Sequence, residues 1–298
     1  MPLVPTGQIV AAGPVCAFNV ITLEHAEAIV AGAEAAGRPV ILQISENAVR
    51  FHGRRLPPIA AATRAVASTA MVDVALHLDH VVSPDLWRQA PEHDFGSIMV
   101  DASALPYQEN VAATRAAAEF AHARGLWVEA ELGTIGGKDG EPPVDPHAPG
   151  SRTDPGEAAS YVAQTGVDAL AVAVGSTHAM TTRSAVLDHS LIGRLRAAVA
   201  VPLVLHGSSG VPDEELRRAV LAGIVKVNIG TALNVAFTGA VRGTLAPRPG
   251  LVDPRRYLTP AREAMAETVT RFCRTVAGEV GPRGAVSAAG LTSAVTES

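Results

Sequence analysis

The stretch PLVLHGSSGVPDEELRRAVLAGIVKVNIG (202–230) holds two short apolar runs on either side of one amphipathic segment. The runs 202–207 and 224–230 predict buried strands. The segment 212–223 predicts a helix, because Pro212 and acidic residues open it and Gly223 closes it. Strand, helix and strand in this order are typical of a parallel sheet with helical crossovers.

The same alternation runs along most of the chain. Candidate strands lie at 14–19, 39–45, 74–79, 96–101, 126–132, 169–175, 202–207 and 224–230. Eight strands with intervening helices indicate the α/β class and a single (β/α)8 barrel over 1–280, with extra C-terminal helices. The alternative is a doubly wound open sheet, but no GxGxxG loop follows the first strand. Residues 281–298 lack periodicity and predict a flexible tail.

Composition narrows the function. The 298 residues carry a formal net charge of -5 without a run of Lys or Arg, so neither nucleic acid nor an anionic membrane is an expected partner. No secretory signal or long apolar segment is visible, which favours a cytoplasmic protein. Cys16 and Cys273 predict reduced, buried thiols.

Most predicted strands end in a polar side chain, and active sites of parallel barrels lie at these ends. His80, His178 and His206 follow three different strands and could supply the nitrogen ligands of a catalytic zinc. Asp101 and Glu131 could orient the imidazoles or hold a second cation. Imidazoles and carboxylates gathered at one rim would repel or be poorly solvated without a cation among them.

Two turns predict phosphate binding. HGSSG (206–210) and NIGT (228–231) place small residues, backbone N–H groups and hydroxyls at helix N-termini after the last two strands. Barrels commonly bind phosphate at this position, so we expect a small phosphorylated substrate.

An ordered set of motifs from about Phe18 to Met265 resembles the class II zinc-dependent ketose-bisphosphate aldolases, a family that includes fructose- and tagatose-bisphosphate aldolases. The motifs include ALHLDH (75–80), SIMVDAS (97–103), VEAELG (128–133), PLVLHGSSGVP (202–212) and KVNIGTAL (226–233).

The resemblance implies reversible cleavage of a ketose 1,6-bisphosphate into dihydroxyacetone phosphate and an aldehyde such as glyceraldehyde 3-phosphate. It implies that Asp79 is the acid that protonates the aldehyde oxygen in condensation and that Asn228 steadies the enediolate. It assigns zinc to the three histidines, with Asp101 and Glu131 at a second or alternative metal site, and allows a monovalent cation. It also implies a homodimer or homotetramer. The implied substrate-binding residues are Ser45, Gly207, Ser209, Asn228, Gly230 and Thr231.

Three positions depart from the family pattern. Ala179 follows His178 where the family usually has Gly, and Arg183 stands where it often has a phosphate-binding Lys. The loop that usually carries a catalytic Glu reads GGKDGE (136–141), so either Asp139 or Glu141 could be the base.

Other functions stay open on the sequence alone. A lysine aldolase would use Lys226 or Lys138. A metal-dependent hydrolase or isomerase, a non-catalytic sugar-phosphate-binding barrel and a class II aldolase for a different ketose phosphate are further alternatives.

Overall fold

The computed structural model describes residues 3–133, 135–136 and 150–278. Eight parallel strands form a closed barrel, in which neighbours along the chain pair and β8 pairs with β1. The predicted (β/α)8 barrel is confirmed, and the doubly wound alternative is wrong. None of the helices in the described ranges is long and apolar enough to cross a membrane.

The strands are β1 (Val15–Asn19), β2 (Val40–Ser45), β3 (Val74–Val81), β4 (Ser97–Val100), β5 (Trp127–Leu132), β6 (Ala169–Val172), β7 (Leu203–Leu205) and β8 (Ile224–Ile229). The helices are α1 (Thr6–Ala12), α2 (Leu23–Ala36), α3 (Glu46–Phe51), α4 (Leu56–Ala67), α5 (Pro84–Trp87), α6 (Tyr107–His122), α7 (Pro155–Thr165), α8 (His189–Ala198), α9 (Asp213–Ala222), α10 (Thr231–Leu245) and α11 (Arg255–Val276). Short 3₁₀ turns span Ala90–His93 and Ser208–Gly210. The sixth and seventh strands are shorter than predicted, since they end at Val172 and Leu205, before the left-handed glycines Gly175 (φ 124°) and Gly207 (φ 67°).

Alternation along the strands separates the core outside the barrel from the apolar clusters inside it. Phe18, Leu42 and Leu76 belong to the large cluster between the barrel and its helices. Ala17 and Ala75, on the opposite faces of their strands, pack inside the barrel against α1. Because side chains alternate with a period of two, the inward positions near the C-terminal ends of the strands are left for polar residues.

The C-terminal helix closes the outer layer against α2 and α10. A Cβ on Gly32 of α2 would lie 2.5 Å from the Ala266 carbonyl oxygen, so the two helices approach closely there. Cys16 and Cys273 are buried free thiols, as predicted. The predicted tail at 281–298 lies outside the described residues.

Candidate active site

A cavity of about 740 Å³ opens at the C-terminal ends of the strands. Most of the predicted site residues line it: Ser45, Asp79, His80, Asp101, His178, Gly207, Ser209, Asn228, Gly230 and Thr231. His206 and Glu131 are fully buried inside the barrel. Asp139 and Glu141 lie outside the described residues.

Four side chains converge from β3, β5 and the segments that follow β6 and β7. His80, Glu131, His178 and His206 each offer a ligand atom, and these atoms all lie within 4.8 Å of one another. The three imidazole rings meet edge to face, with centroids 4.7 to 5.5 Å apart. Three imidazole nitrogens and one carboxylate oxygen form a donor set that suits Zn²⁺, so these residues fit the metal that the sequence predicts.

A left-handed backbone conformation occurs at, or directly after, each of the three histidines. His80 itself has a φ of 48°, Ala179 after His178 has 57°, and Gly207 after His206 has 67°. The β3–β4 register shifts between Leu78 and Val81, as at a β-bulge. Side chains of neighbouring strand residues normally point to opposite faces, whereas Asp79 and His80 both line the cavity. The distorted backbone therefore re-aims His80 toward the site.

His206 lies between two carboxylates. Its Nε2 lies 2.9 Å from Glu129 Oε1, and its Nδ1 lies 3.3 Å from Glu131 Oε2. Burial alone would lower the pKa of His206, but the hydrogen bonds and charges of Glu129 and Glu131 raise it to about 9. The two carboxylates therefore favour positive charge at this imidazole, either as a second proton or as a metal ion bound to one of its nitrogens.

Asp101 orients His80. The Nδ1 of His80 lies 2.8 Å from Asp101 Oδ2, and Ser103 Oγ donates to Asp101 Oδ1 at 2.6 Å. Asp101 is not among the four converging ligands, so its geometry is that of a carboxylate that fixes an imidazole from behind. Its assignment to a second metal site stays a prediction.

Asp79 is held by two amides. Its Oδ2 accepts from Asn19 Nδ2 at 3.3 Å and from Gln43 Nε2 at 3.4 Å, and Gln43 Nε2 also donates to Asn19 Oδ1 at 2.9 Å. Asp79 is 1% exposed yet borders the cavity. Gln43 is a site residue that was not predicted from the sequence. Its position two residues before Ser45, on the inward face of β2, is the signal that could have identified it.

The two predicted phosphate turns lie together. Ser209 Oγ accepts from Ala232 N at 3.0 Å, which joins the turn after β7 to the first turn of α10. A Cβ on Gly207 would lie 2.4 Å from the Thr177 carbonyl oxygen, and one on Gly230 would lie 2.8 Å from Asn19 Oδ1. Both positions therefore require glycine for close approach of the chain.

Two cationic side chains differ in what they can reach. Arg183 donates to the Val211 carbonyl and to Asp213 Oδ1 at 2.6 Å, and it is not among the residues that line the cavity. Its predicted phosphate contact stays a prediction. Lys226 is fully buried and donates to Glu129 and Asn228, so this amine is not poised to attack a substrate carbonyl.

The comparisons with known proteins agree with this geometry. The family model "Fructose-bisphosphate aldolase class-II" matches residues 12–281. Fructose-bisphosphate aldolase of Geobacillus stearothermophilus is 39% identical over 257 residues, which cover 85% of this chain and 87% of that protein. A probable fructose-bisphosphate aldolase of Bacillus subtilis (strain 168) is 40% identical over 255 residues, covering 85% of this chain and 88% of the relative.

A solved structure shares the same architecture. The YdjI aldolase from Escherichia coli K12 superposes with a TM-score of 0.76 at 32% identity, covering 91% of this chain and 94% of that one. The family match spans nearly the whole barrel, together with its strand-end histidines. The chain belongs to the class II fructose-bisphosphate aldolase family and is an enzyme of the lyase type.

Proposed function

We propose that this enzyme cleaves a ketose 1,6-bisphosphate, of the fructose or tagatose type, into dihydroxyacetone phosphate and glyceraldehyde 3-phosphate in a reversible, zinc-dependent reaction. The observation that carries the proposal is the convergence of His80, Glu131, His178 and His206 beside Asp79 at the end of the barrel. The relatives named above support a fructose-bisphosphate substrate.

The bound zinc would polarise the substrate carbonyl and stabilise the negative charge that develops on its oxygen. His80, His178 and His206 would hold it, with Glu131 as the adjacent carboxylate. In cleavage, Asp79 takes the proton of the C4 hydroxyl while the C3–C4 bond breaks and its electron pair passes into the enediolate. In condensation the same carboxyl group returns that proton to the aldehyde oxygen.

The two ends of the substrate would bind on different sides of the cavity. Gly207, Ser209, Gly230 and Thr231 border the cavity after β7 and β8, and they would receive the phosphate of the dihydroxyacetone half. Ser45 borders the cavity after β2 and would contact the aldehyde half. Asn228 would donate to the enediolate oxygen. Asp139 or Glu141 would transfer the proton at C3.

The first experiment is elemental analysis of the purified chain, combined with cleavage assays on fructose 1,6-bisphosphate and tagatose 1,6-bisphosphate before and after chelation. Dihydroxyacetone phosphate is detected by a coupled dehydrogenase. We expect about one zinc per chain, loss of cleavage on chelation and recovery when zinc is restored. A matched control is His122→Gln, which removes an imidazole that pairs with Asp168 in the helical layer and leaves the cavity intact.

The relative rates on the two sugars decide the stereochemistry at C4. Cleavage that survives exhaustive chelation would overturn the metal assignment. Bound zinc without cleavage of either sugar would keep the metal site and reject both proposed substrates.

A further inference from the structure

A buried ion pair lies beneath the proposed metal site. Lys226 on β8 and Glu129 on β5 are both fully buried, and Lys226 Nζ lies 2.8 Å from Glu129 Oε2. Neither residue borders the cavity. Well-packed apolar residues often replace such pairs without loss of stability, so stability alone does not account for charges at this position.

On one side the pair determines which nitrogen of His206 carries hydrogen. Glu129 Oε2 receives the Lys226 ammonium, while Glu129 Oε1 lies 2.9 Å from His206 Nε2. A carboxylate can only accept hydrogen bonds, so Nε2 must carry the hydrogen. The remaining nitrogen, Nδ1, then faces Glu131 Oε2 at 3.3 Å with its lone pair available to a metal.

On the other side the pair determines the orientation of an amide. Lys226 Nζ also lies 2.8 Å from Asn228 Oδ1. An ammonium group can only donate, so this contact identifies the oxygen of the amide and turns its Nδ2 the other way. Asn228 borders the cavity, and its Nδ2 lies 2.9 Å from His206 Nε2. Because the Nε2 hydrogen is directed at Glu129, Nε2 has no lone pair that could accept from Nδ2, so an Nδ2 hydrogen can be donated to a substrate oxygen.

We propose that Lys226 is a positioning residue for the aldolase site, which acts through Glu129 on His206 and directly on Asn228. It fixes His206 with Nδ1 toward the metal, and it fixes Asn228 with Nδ2 toward the substrate. This assignment rests on the metal site proposed above.

The test measures zinc affinity of the full chain, stripped of metal, by competition with a chromophoric chelator. Lys226→Met leaves Glu129 as an unpaired buried charge and endangers folding. The decisive variant is therefore the double change Lys226→Met with Glu129→Gln, which removes both charges at nearly constant volume. If the Lys226 variants do not fold, Glu129→Gln alone tests the arm that acts on His206, and its amide oxygen can still accept from Lys226. Ile29→Ala, in the outer layer on α2, is the control for general destabilisation.

We expect the double variant to bind zinc 10- to 100-fold more weakly, as is typical when partners of metal ligands are removed. At saturating zinc we expect kcat to fall at least tenfold with little change in KM, because Asn228 acts on charge that develops during the reaction. Ile29→Ala should lower the melting temperature and keep both values within twofold of the parent chain.

Two results would overturn the positioning role alone. One is zinc affinity and kcat within twofold of the parent in the double variant. The other is an equal loss in Ile29→Ala at the same melting temperature, which would make the effect a general one. A parent chain that binds no zinc would overturn the metal site as well, so the two failures are distinguishable.

Discussion

Replacing Gly207 by alanine combines two physical penalties at one position. The residue has a φ of 67°, in the left-handed region, where a Cβ costs about 1–2 kcal/mol. The added Cβ would also lie 2.4 Å from the Thr177 carbonyl oxygen, which is backbone and must move. Overpacking of this kind costs about 1–3 kcal/mol, so we expect Gly207→Ala to destabilise the chain by about 2–5 kcal/mol.

Gly166→Ala is a matched control for the backbone penalty. Gly166 ends α7 with a φ of 69°, and a Cβ there meets nothing within 4 Å, so only about 1–2 kcal/mol should be lost. Urea unfolding measures both variants. Because Thr177 precedes His178, the displaced carbonyl should also weaken zinc binding by about tenfold in Gly207→Ala and not in Gly166→Ala. Equal stability losses, or unchanged zinc affinity in Gly207→Ala, would refute the close contact.

Three further outcomes follow from the site. Asp79→Asn should lower kcat for cleavage by about 10²–10⁴-fold. The zinc content should persist, and so should proton exchange of dihydroxyacetone phosphate in the absence of an aldehyde. Loss of exchange in step with cleavage would contradict the assignment of Asp79 as the group that protonates the aldehyde oxygen. Asp101→Asn should weaken zinc binding about 10- to 100-fold, measured by chelator competition, because it loosens His80; parent-like affinity would show that Asp101 does not fix the ring. Ala179→Gly should raise the free energy of unfolding by about 1 kcal/mol, since Ala179 has a left-handed φ of 57°. Its control, Ala61→Gly on the exposed face of α4, should lower the free energy of unfolding by about 1 kcal/mol. Melting temperatures that shift in the same direction in both variants would argue against backbone strain at Ala179.

The barrel was predictable because its strands alternate with helical segments throughout. The polar strand ends were predictable for the same reason, since parallel strands bring their C-terminal ends to one rim. Inward-facing pairs two residues apart, such as His77 with Asp79 and Glu129 with Glu131, carry a second signal. Within each pair the first residue lies earlier on its strand and deeper in the barrel, and Glu129 contacts the candidate ligand His206 from there, so the period of two predicts supporting residues as well as ligands.

Other features depend on contacts between distant segments, which no local pattern encodes. The left-handed φ of His80 is visible only once β3 pairs with β4. The ion pair of Arg183 with Asp213 depends on where the loop after β6 contacts α9, and the sequence does not show this contact. The pairing of Lys226 with Glu129 joins residues 97 positions apart across the barrel, and sequence alone left Lys226 open as a nucleophile.

Charge balance relates Lys226 to the proposed metal site. Within the described residues, the carboxylates of Asp79, Asp101, Glu129 and Glu131 lie in or beside the barrel mouth, with Lys226 as the buried ammonium among them. Burial favours the neutral form of Glu129, but Lys226 and His206 hold the pKa of its carboxyl group well below the usual range. Burial and the Lys226 charge lower the pKa of His77 to about 3, so this imidazole contributes no positive charge. Lys226 therefore compensates the deeper carboxylate only, and the carboxylates nearer the cavity favour positive charge at the histidine cluster, where the metal is proposed to bind. Lys226 Nζ is held by Glu129 and Asn228 and does not border the cavity, so it is not placed to attack a substrate carbonyl, and the electron sink is left to the proposed metal.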